Sequence, residues 1–303
     1  MERAATQQPR WARTVACYWV KKKAADGLPA RTGRIWTREK LTYLQKYASA
    51  FMTAMGPKRS EGKWDKLVYI DLLAGPGRDI DPDSSEEFDG SPFIALAVRP
   101  KFDHLYLADE KSRNITALRA RIPAEDISRA TVMSGDCNVL VDQVIAKISA
   151  RTLGLAFIDP QGFEVHFDTL AKLAKRRIDL LYLFPSGIGV RRNWRQSIRS
   201  PKSKFDKFWG GSDWQQLPVV KQATGDTDDF TSDKILRSFI VAFREKLRRA
   251  GFEFRDQAVP QFTNTRNAQM YHLLFCSHGK MGLDLWNKIK KIAPDGQRGF
   301  LFP

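Results

Sequence analysis

Short apolar runs recur through the middle of the chain, and each ends at an acidic residue or a glycine-containing turn. The runs lie at 68–73, 104–108, 130–133, 153–158 and 178–184. Apolar runs of this length between turn residues are typical of buried strands, and their alternation with helix-like stretches indicates βαβ units. The pattern therefore predicts an α/β fold with a Rossmann-like, doubly wound and mostly parallel sheet.

The first run leads into a glycine turn, VYIDLLAGPGR at 68–78. Asp71 stands near the end of the predicted strand, and Gly75 and Gly77 allow the backbone to turn tightly and to pass close to a ligand. Nucleoside cofactors are often bound at such a turn on the edge of a parallel sheet. Since similar turns also occur in α/β proteins that bind nothing there, the turn alone leaves cofactor binding open.

Four predicted strands carry a carboxylate at or just after their ends. These residues are Asp71, Asp109, Asp136 and Asp159. Ligands of doubly wound sheets gather at the carboxyl ends of the strands, where a carboxylate can accept hydrogen bonds from ribose hydroxyls or from an adenine amino group. The layout is that expected of a class I S-adenosylmethionine-dependent methyltransferase. The alternative is that these acids only cap turns and helices.

Charge is unevenly distributed along this chain of 303 residues, whose net charge is +16. The first 60 residues carry 13 Lys/Arg and 3 Asp/Glu, residues 61–185 carry 16 and 20, and the remainder carries 21 and 11. Two basic flanks thus enclose a mildly acidic middle. Basic surfaces attract polyanions by releasing counterions, which favours a nucleic-acid partner. A role in solubility, or another acidic partner, is the alternative.

Cysteine usage and hydropathy narrow the class of protein further. Cys17, Cys137 and Cys276 are scattered without a CxxC pair, and the four histidines show no metal-ligand spacing. Neither a structural zinc site nor a disulfide framework is therefore expected. No apolar run reaches the length of a membrane span, and the N-terminus lacks the pattern of a secretory signal. We expect no bound metal, no membrane partner and a cytoplasmic location.

The composition divides the chain into an extension, a domain and an insertion. Residues 1–62 form a basic N-terminal extension with an amphipathic helix, which is expected to cover the sheet. The apolar positions of that helix are Leu41, Leu44, Tyr47 and Phe51. Residues 63–303 form the α/β domain, and within it 186–250 form a basic, aromatic-rich helical insertion before the last strands.

The insertion is the candidate nucleic-acid surface. Its candidate contact residues are Arg191, Arg192, Trp194, Arg195, Lys202 and Lys204. Cations can bind phosphates while exposed rings stack on bases. Alternatively the rings form the small core of the insertion, which is the more common fate of Trp and Phe.

Several segments in a fixed order resemble one family. The matching pieces are WTREKLTYLQKY at 36–47, YIDLLAGPG at 69–77, DGSPFIAL at 89–96, SGDCN at 134–138, FIDPQG at 157–162, FPSG at 184–187, FDKFWGGSDW at 205–214 and YHLLFCS at 271–277. With them the chain resembles the three-Cys-motif partner family (TcmP), bacterial proteins with a methyltransferase-like domain. The resemblance implies a seven-stranded class I methyltransferase sheet, closed by strands near 252–260 and 270–279. It also implies a radical-SAM-like three-Cys-motif protein as a partner.

The same resemblance implies S-adenosylmethionine as the cofactor and suggests how it is bound. The implied cofactor-binding residues are Asp71, Ala74, Gly75, Gly77, Asp109, Asp136 and Cys137. The first strand end and the glycine turn would surround the methionine part, the second strand end the ribose, and the third the adenine. An irregular, solvated acidic loop at 79–89 lengthens the interval after Gly77, so the choice between Asp109 and Glu110 stays open. Metal binding by that loop is a minor alternative.

The segment IDPQGF at 158–163 is the candidate acceptor site, with Asp159, Pro160 and Phe163 as the catalytic candidates. Enzymes that methylate exocyclic amines place an acid or asparagine followed by Pro-Pro-aromatic at this strand end, where oxygens hold the amino group and the ring stacks on the base. Here Gln161 replaces the second proline, so the match is partial. No Pro-Cys dipeptide for attack on cytosine carbon 5 occurs, and no complete Lys-Asp-Lys-Glu set for ribose methylation presents itself.

Two functions are therefore expected from the sequence. The favoured one is a methyltransferase that acts on nucleic acid, with an exocyclic amine of a base as one possible acceptor. The alternative is a methyltransferase-like scaffold without catalysis that binds nucleic acid or a radical-SAM-like protein. A nuclease is less favoured, because each acid is accounted for by a strand end and no second ligand cluster is present.

Overall fold

The computed structural model describes residues 22–198, 200, 202–223, 232–256, 260–263 and 269–291. The strands are β1 (Lys22–Lys23), β2 (Pro29–Thr32), β3 (Lys66–Asp71), β4 (Arg78–Ile80), β5 (Glu87–Asp89), β6 (His104–Asp109), β7 (Ala130–Ser134), β8 (Thr152–Ile158), β9 (Arg177–Phe184), β10 (Phe254–Arg255), β11 (Gln261–Thr263) and β12 (Gln269–Ser277). The α-helices are α1 (Ile35–Ser60), α2 (Ser91–Ala97), α3 (Ser112–Arg121), α4 (Cys137–Ala146), α5 (Phe167–Ala174), α6 (Arg191–Ile198), α7 (Lys204–Trp209), α8 (Pro218–Ala223), α9 (Ser232–Ala250) and α10 (Lys280–Lys291).

The central sheet has the strand order β10-β12-β9-β8-β3-β6-β7, and β11 shares an edge of β12 with β10. Strands β3, β6, β7, β8 and β9 are parallel, and β12 runs antiparallel to β9. The chain crosses over from β7 on one side of β3 to β8 on its other side, so the sheet is doubly wound. The predicted fold class is confirmed. The sheet differs from the expectation only in β11, a short eighth strand.

Apolar residues on both faces of each central strand explain why helices cover the sheet on two sides. In β3, Leu67 and Tyr69 point into one cluster of buried side chains, and Val68 and Ile70 point into the other. A strand buried on both faces reads as a continuous apolar run, as the sequence showed. The first cluster also contains side chains of α1, α2, α3 and α10, and the second those of α4, α5 and α9.

Helix α1 covers one face of the central sheet, as predicted for the N-terminal helix. Leu44, Tyr47 and Phe51 are each at most 1% exposed and pack against the sheet and α10. Among the described residues, no helix is both long enough and apolar enough to cross a membrane.

A second, small sheet stands beside the central one and corrects the expectation of an irregular acidic loop at 79–89. Strands β4 and β5 form an antiparallel hairpin, and β4 also pairs in parallel with β2, with Arg31 opposite Asp79. Strand β1 completes the order β1-β2-β4-β5. The pairing partner of this acidic segment lies in the N-terminal extension, so the composition of the segment alone gave no sign of a strand.

The aromatic residues of the insertion form a core, which was the alternative considered for them. Phe205, Phe208, Trp209 and Trp214 are at most 1% exposed and pack around Phe239 of α9 and its neighbours. They belong to the same buried cluster as one face of the central sheet. The insertion is therefore packed onto the domain through its rings, while Lys202, Lys204 and Lys207 are exposed.

Candidate functional site

The carboxyl ends of the central strands bring together most of the acids that the sequence singled out. Asp71 and Asp109 are the last residues of β3 and β6, and Asp159 directly follows β8. These three strands are direct neighbours in the order β8-β3-β6. Asp136 follows β7, the next strand outward. The predicted convergence on one edge of the sheet is therefore present in the structure.

The glycine turn after β3 has the backbone conformation that only glycine adopts readily. Gly75 has φ +65° and Gly77 has φ +81°. A Cβ on Gly77 would lie 2.3 Å from Cε2 of Phe93, so the turn is also closely packed. The N–H of Ala74 donates to the carbonyl of Ala108 at 2.8 Å, which ties the turn to β6. Both glycines are thus required by geometry, and the turn itself is buried, with the side chain of Arg31 lying over Gly75.

Asp109 completes this crevice. Its Oδ2 accepts from the N–H of Gly75 at 3.0 Å, and its Oδ1 accepts from the N–H of Lys111 and from Nδ2 of Asn114, each at 2.9 Å. The side chain is half-buried, whereas Glu110 is exposed beyond the strand end. Between the two acids that the sequence left open, Asp109 is the one joined to the glycine turn.

Asp71 lies beneath the turn and is 0% exposed. Its carboxylate accepts from the Ser91 hydroxyl at 2.6 Å, from the N–H of Leu73 at 3.1 Å and from the Tyr69 hydroxyl at 3.3 Å. Burial raises the pKa of Asp71 to about 7, although the bonds from Ser91 and Leu73 oppose the rise. The expectation that Asp71 contacts the methionine part is corrected: it joins the turn to the start of α2 and has no surface left for a ligand.

The third strand end shows capping rather than an open binding site. Asp136 is the N-cap of α4 and accepts from the N–H of Asn138 at 2.8 Å. Cys137 is 5% exposed, and burial is the main cause that raises the pKa of its thiol to about 12. Its thiol donates to the carbonyl of Glu164 at 4.0 Å and so points into the fold, and its place beside an adenine stays a prediction. Asp136 itself remains exposed at this edge.

Asp159 is buried and forms an ion pair with Lys40 of α1. Both side chains are only 9% exposed, and Nζ of Lys40 bonds Oδ2 of the carboxylate. Pro160 beside it is also buried. Sequence reasoning missed Lys40. The available signal was a lysine one helical turn before Tyr43 and Leu44 on an otherwise apolar stripe, because a cation on such a stripe needs a buried partner.

The sequence predicted that the ring of Phe163 stacks on the base of the acceptor, whereas in the structure this ring contacts the insertion. Its ring packs at 5.1 Å from that of Phe205 and at 4.8 Å from that of Phe208, measured between centroids. The half-buried ring thus packs against the core of the insertion, and its stacking on a base stays a prediction. A second ring beside this segment is that of Tyr271 of β12, whose hydroxyl lies 3.5 Å from the carbonyl oxygen of Gln161.

Two further charged residues stand at this edge and were not singled out from the sequence. Arg31 of β2 reaches over Gly75, and Asp79 of β4 is 6% exposed. Burial raises the pKa of Asp79, while Arg31 and Lys40 act in the opposite direction. The edge of the sheet therefore holds two cations among a larger number of carboxylates.

The candidate nucleic-acid residues fall into two groups. Arg191, Arg195, Lys202 and Lys204 are exposed. Trp194 is 4% exposed and lies in the core, so its predicted stacking on a base is corrected, because burial leaves no free ring face. The side chain of Arg192 lies outside the described residues.

The described residues contain no group of three or more His, Cys, Asp or Glu side chains placed to hold a metal ion.

No family model and no curated protein matches the chain. Among solved structures it is similar to a protein of Legionella pneumophila, at 13% identity with a TM-score of 0.49, over 90% of this chain and 98% of that chain. It is also similar to the O-methyltransferase TomG of Streptomyces achromogenes, solved with SAM, at 12% identity with a TM-score of 0.38, over 80% of each chain. An O-methyltransferase of Bacillus cereus, solved with SAH, gives 10% identity and a TM-score of 0.38, over 88% of this chain and 87% of that chain. These identities are too low to transfer a substrate or the role of any residue.

Proposed function

We propose that the protein is an S-adenosylmethionine-dependent methyltransferase. The observation that carries this proposal is the Gly75–Gly77 turn, joined to Asp109 at the carboxyl ends of two adjacent parallel strands. In a doubly wound sheet this is where a nucleoside ligand meets exposed backbone and a strand-end carboxylate. The residues present fit such a cofactor, since Asp109 is half-buried rather than sealed in the core and its carboxylate can accept from ribose hydroxyls.

Each residue has a limited task in this proposal. Asp109 accepts from the ribose hydroxyls, and the turn approaches the methionine part. Asp71 acts indirectly, by holding the turn through Leu73. When bound, the cofactor supplies an electrophilic methyl group on a sulfonium centre. Carboxylates at the edge of the sheet favour such a cationic group over a neutral one.

Asp159 is proposed to position the methyl acceptor. Its Oδ2 bonds Lys40, which leaves Oδ1 as an acceptor for a donor group on a substrate. An exocyclic amine of a base is such a donor, and carboxylate and carbonyl oxygens at this strand end can orient its lone pair toward the methyl group. Phe163, which is half-buried, and Tyr271, whose hydroxyl lies near the carbonyl oxygen of Gln161, are the rings beside this position.

Nucleic acid is proposed as the substrate class. The support is electrostatic: the net charge is +16, and the exposed cations of the insertion include Arg191, Arg195, Lys202 and Lys204. Cations on a surface bind phosphates independently of sequence, so they account for attraction to RNA or DNA without fixing the target.

The experiment has two stages. Calorimetric titration with S-adenosylmethionine and S-adenosylhomocysteine measures cofactor binding. Transfer of a labelled methyl group to total RNA, DNA and protein then identifies the substrate class. We expect binding to both ligands and label in a nucleic-acid pool. Absence of affinity for both ligands would reject the enzyme.

Asp159→Ala tests the acceptor site. We expect cofactor affinity to be retained and methyl transfer to be lost, because the variant lacks the side-chain oxygen that would accept from the amino group. Asp142→Ala is the matched control, since Asp142 is another lysine-paired carboxylate but is 61% exposed on α4. Normal transfer by Asp159→Ala would refute the assignment of Asp159.

A scaffold without catalysis is the second candidate, and the ion pair of Lys40 with Asp159 favours it. The ammonium group already occupies one oxygen at the position where an acceptor would bind. Such a scaffold would bind nucleic acid or a radical-SAM-like three-Cys-motif protein. It predicts co-elution with that partner from a sizing column and no affinity for S-adenosylmethionine.

A further inference from the structure

Arg31 lies in an unusual position for an arginine, directly over the glycine turn. A Cβ built on Gly75 would be 2.8 Å from its Cδ and 3.1 Å from one guanidinium nitrogen. The absence of a side chain at Gly75 is therefore what makes room for Arg31. Arg31 stands opposite Asp79 in the parallel pairing of β2 with β4, so the small sheet places this cation at the edge of the central sheet.

The guanidinium of Arg31 has no ion pair or hydrogen bond with any residue in the described part of the chain. Other arginines in and around the small sheet are paired, for example Arg78 with Asp89 at 2.9 Å and Arg34 with Asp83 at 3.3 Å. The five N–H donors of this half-buried guanidinium are therefore available to an anionic group of a ligand.

Carboxylates surround Arg31 without touching it. Burial lowers the pKa of its guanidinium, but the fields of Asp159, Asp79, Asp109 and Asp71 outweigh burial and the net pKa is raised. The guanidinium is therefore charged. An anionic group of a ligand can therefore pair with it at this edge of the sheet.

A second arginine holds the strand that bears Arg31 against the turn. The Nη1 of Arg121 donates to the carbonyl of Pro29 at 2.8 Å and to the carbonyl of Pro76 at 2.7 Å. Its Nε also pairs with Asp26 at 2.6 Å, and the Arg121 side chain is only 5% exposed. Pro29 begins β2, and Pro76 is the centre of the glycine turn. The distance between Arg31 and the turn is thus fixed by direct bonds to both.

We propose that Arg31 binds the carboxylate of the methionine part of the cofactor, and that the small sheet is therefore part of the cofactor site. This inference rests on the proposed methyltransferase function. A carboxylate matches the forked geometry of a guanidinium, and the methionine part is the portion of the cofactor expected beside the turn. Arg121 is a positioning residue in this arrangement.

The test removes the carboxylate from the ligand and the guanidinium from the protein. Calorimetry measures the affinity of the full chain for S-adenosylhomocysteine and for its decarboxylated analogue, S-adenosyl-3-thiopropylamine. We expect the wild-type protein to bind the first about ten- to a hundredfold more tightly, the range of a charge-assisted hydrogen bond. Arg31→Gln should bind both ligands alike, and Arg31→Lys should recover part of the preference. Arg34→Gln, three residues away on the surface, should keep the wild-type ratio.

Three results separate the possible failures. Equal affinity of the wild-type protein for the two ligands overturns the role of Arg31 and leaves the proposed function standing. An equal loss of affinity for both ligands in Arg31→Gln also overturns the role of Arg31, because an arginine that only supports the fold would affect the two ligands equally. If the wild-type protein binds neither ligand, the proposed function fails and the role of Arg31 fails with it. The comparison of ligands on the wild-type protein holds even if Arg31→Gln does not fold.

Discussion

The buried pair of Lys40 and Asp159 allows a quantitative prediction about stability. In Lys40→Met the carboxylate stays at the end of β8 without its cation, and in Asp159→Asn the ammonium group stays without its anion. Both side chains are 9% exposed, so solvent screens the remaining charge poorly. Removal of one partner of a buried pair costs about 3–5 kcal/mol, and we expect each single variant to lose that much unfolding free energy.

The double variant Lys40→Met/Asp159→Asn is expected to be more stable than either single variant. It leaves no buried charge, and its remaining cost is that of an imperfectly bonded amide, about 1–3 kcal/mol. The two single effects therefore should not add, and the coupling energy between positions 40 and 159 should be several kcal/mol.

Urea denaturation at fixed salt, followed by tryptophan fluorescence, measures these free energies. A control cycle uses Lys172→Met and Asp142→Asn, a pair whose side chains are 26% and 61% exposed. Exposed pairs contribute about 0–1 kcal/mol, so the control cycle should show little coupling. Single costs below about 1 kcal/mol at Lys40 and Asp159, adding as in the control, would show that the pair is solvated and would refute the reasoning.

Three further predictions concern other residues. Burial raises the pKa of Asp71 from 3.8 to about 7, so the folded state holds this proton more tightly than the unfolded chain. The contribution of this group to the unfolding free energy is therefore fully present below pH 4, falls as pH rises, and is lost above pH 7. Between pH 5 and pH 8 the wild-type protein should therefore lose about 2–3 kcal/mol more unfolding free energy than Asp71→Asn, and parallel pH profiles of the two proteins would contradict this. In denaturation experiments Gly77→Ala should lower the unfolding free energy by about 1–3 kcal/mol more than Gly62→Ala. Both glycines have positive φ, but only at Gly77 would the added Cβ clash, with Phe93. Equal losses would argue against the packed turn. Trp194→Ala should lose about 3–5 kcal/mol of unfolding free energy, as a core residue does, whereas an unchanged stability with weaker RNA binding would restore its predicted role in stacking.

The parallel sheet and its strand-end acids could be predicted from the sequence because they leave a local signal. A strand buried on both faces is a continuous apolar run, and Asp71, Asp109 and Asp159 stand at the points where such runs end. The doubly wound class follows from the few topologies that βαβ units allow.

The roles of individual side chains at that edge depend on contacts between distant segments and could not be predicted in the same way. Lys40 lies on α1, 119 residues before Asp159 in the chain. Arg31 reaches Gly75 from β2, which pairs with a strand in the acidic segment. The amino-acid composition also does not indicate whether an aromatic ring faces the core or the solvent. Phe163 and Trp194 have the same amino acids around them in the sequence whether they bind a base or fill a core, and only packing distinguishes the two.

The parallel pairing of β2 with β4 has a consequence for how the protein is made and how it can be divided. Helix α1 and strand β3 lie between the two strands in the chain, so β2 leaves the ribosome long before its partner exists. The central sheet and its covering helices need neither β1 nor β2 for their own strand pairing. A fragment that begins at Gly33 would therefore keep the strand pairing of the central sheet while losing β1, β2 and Arg31.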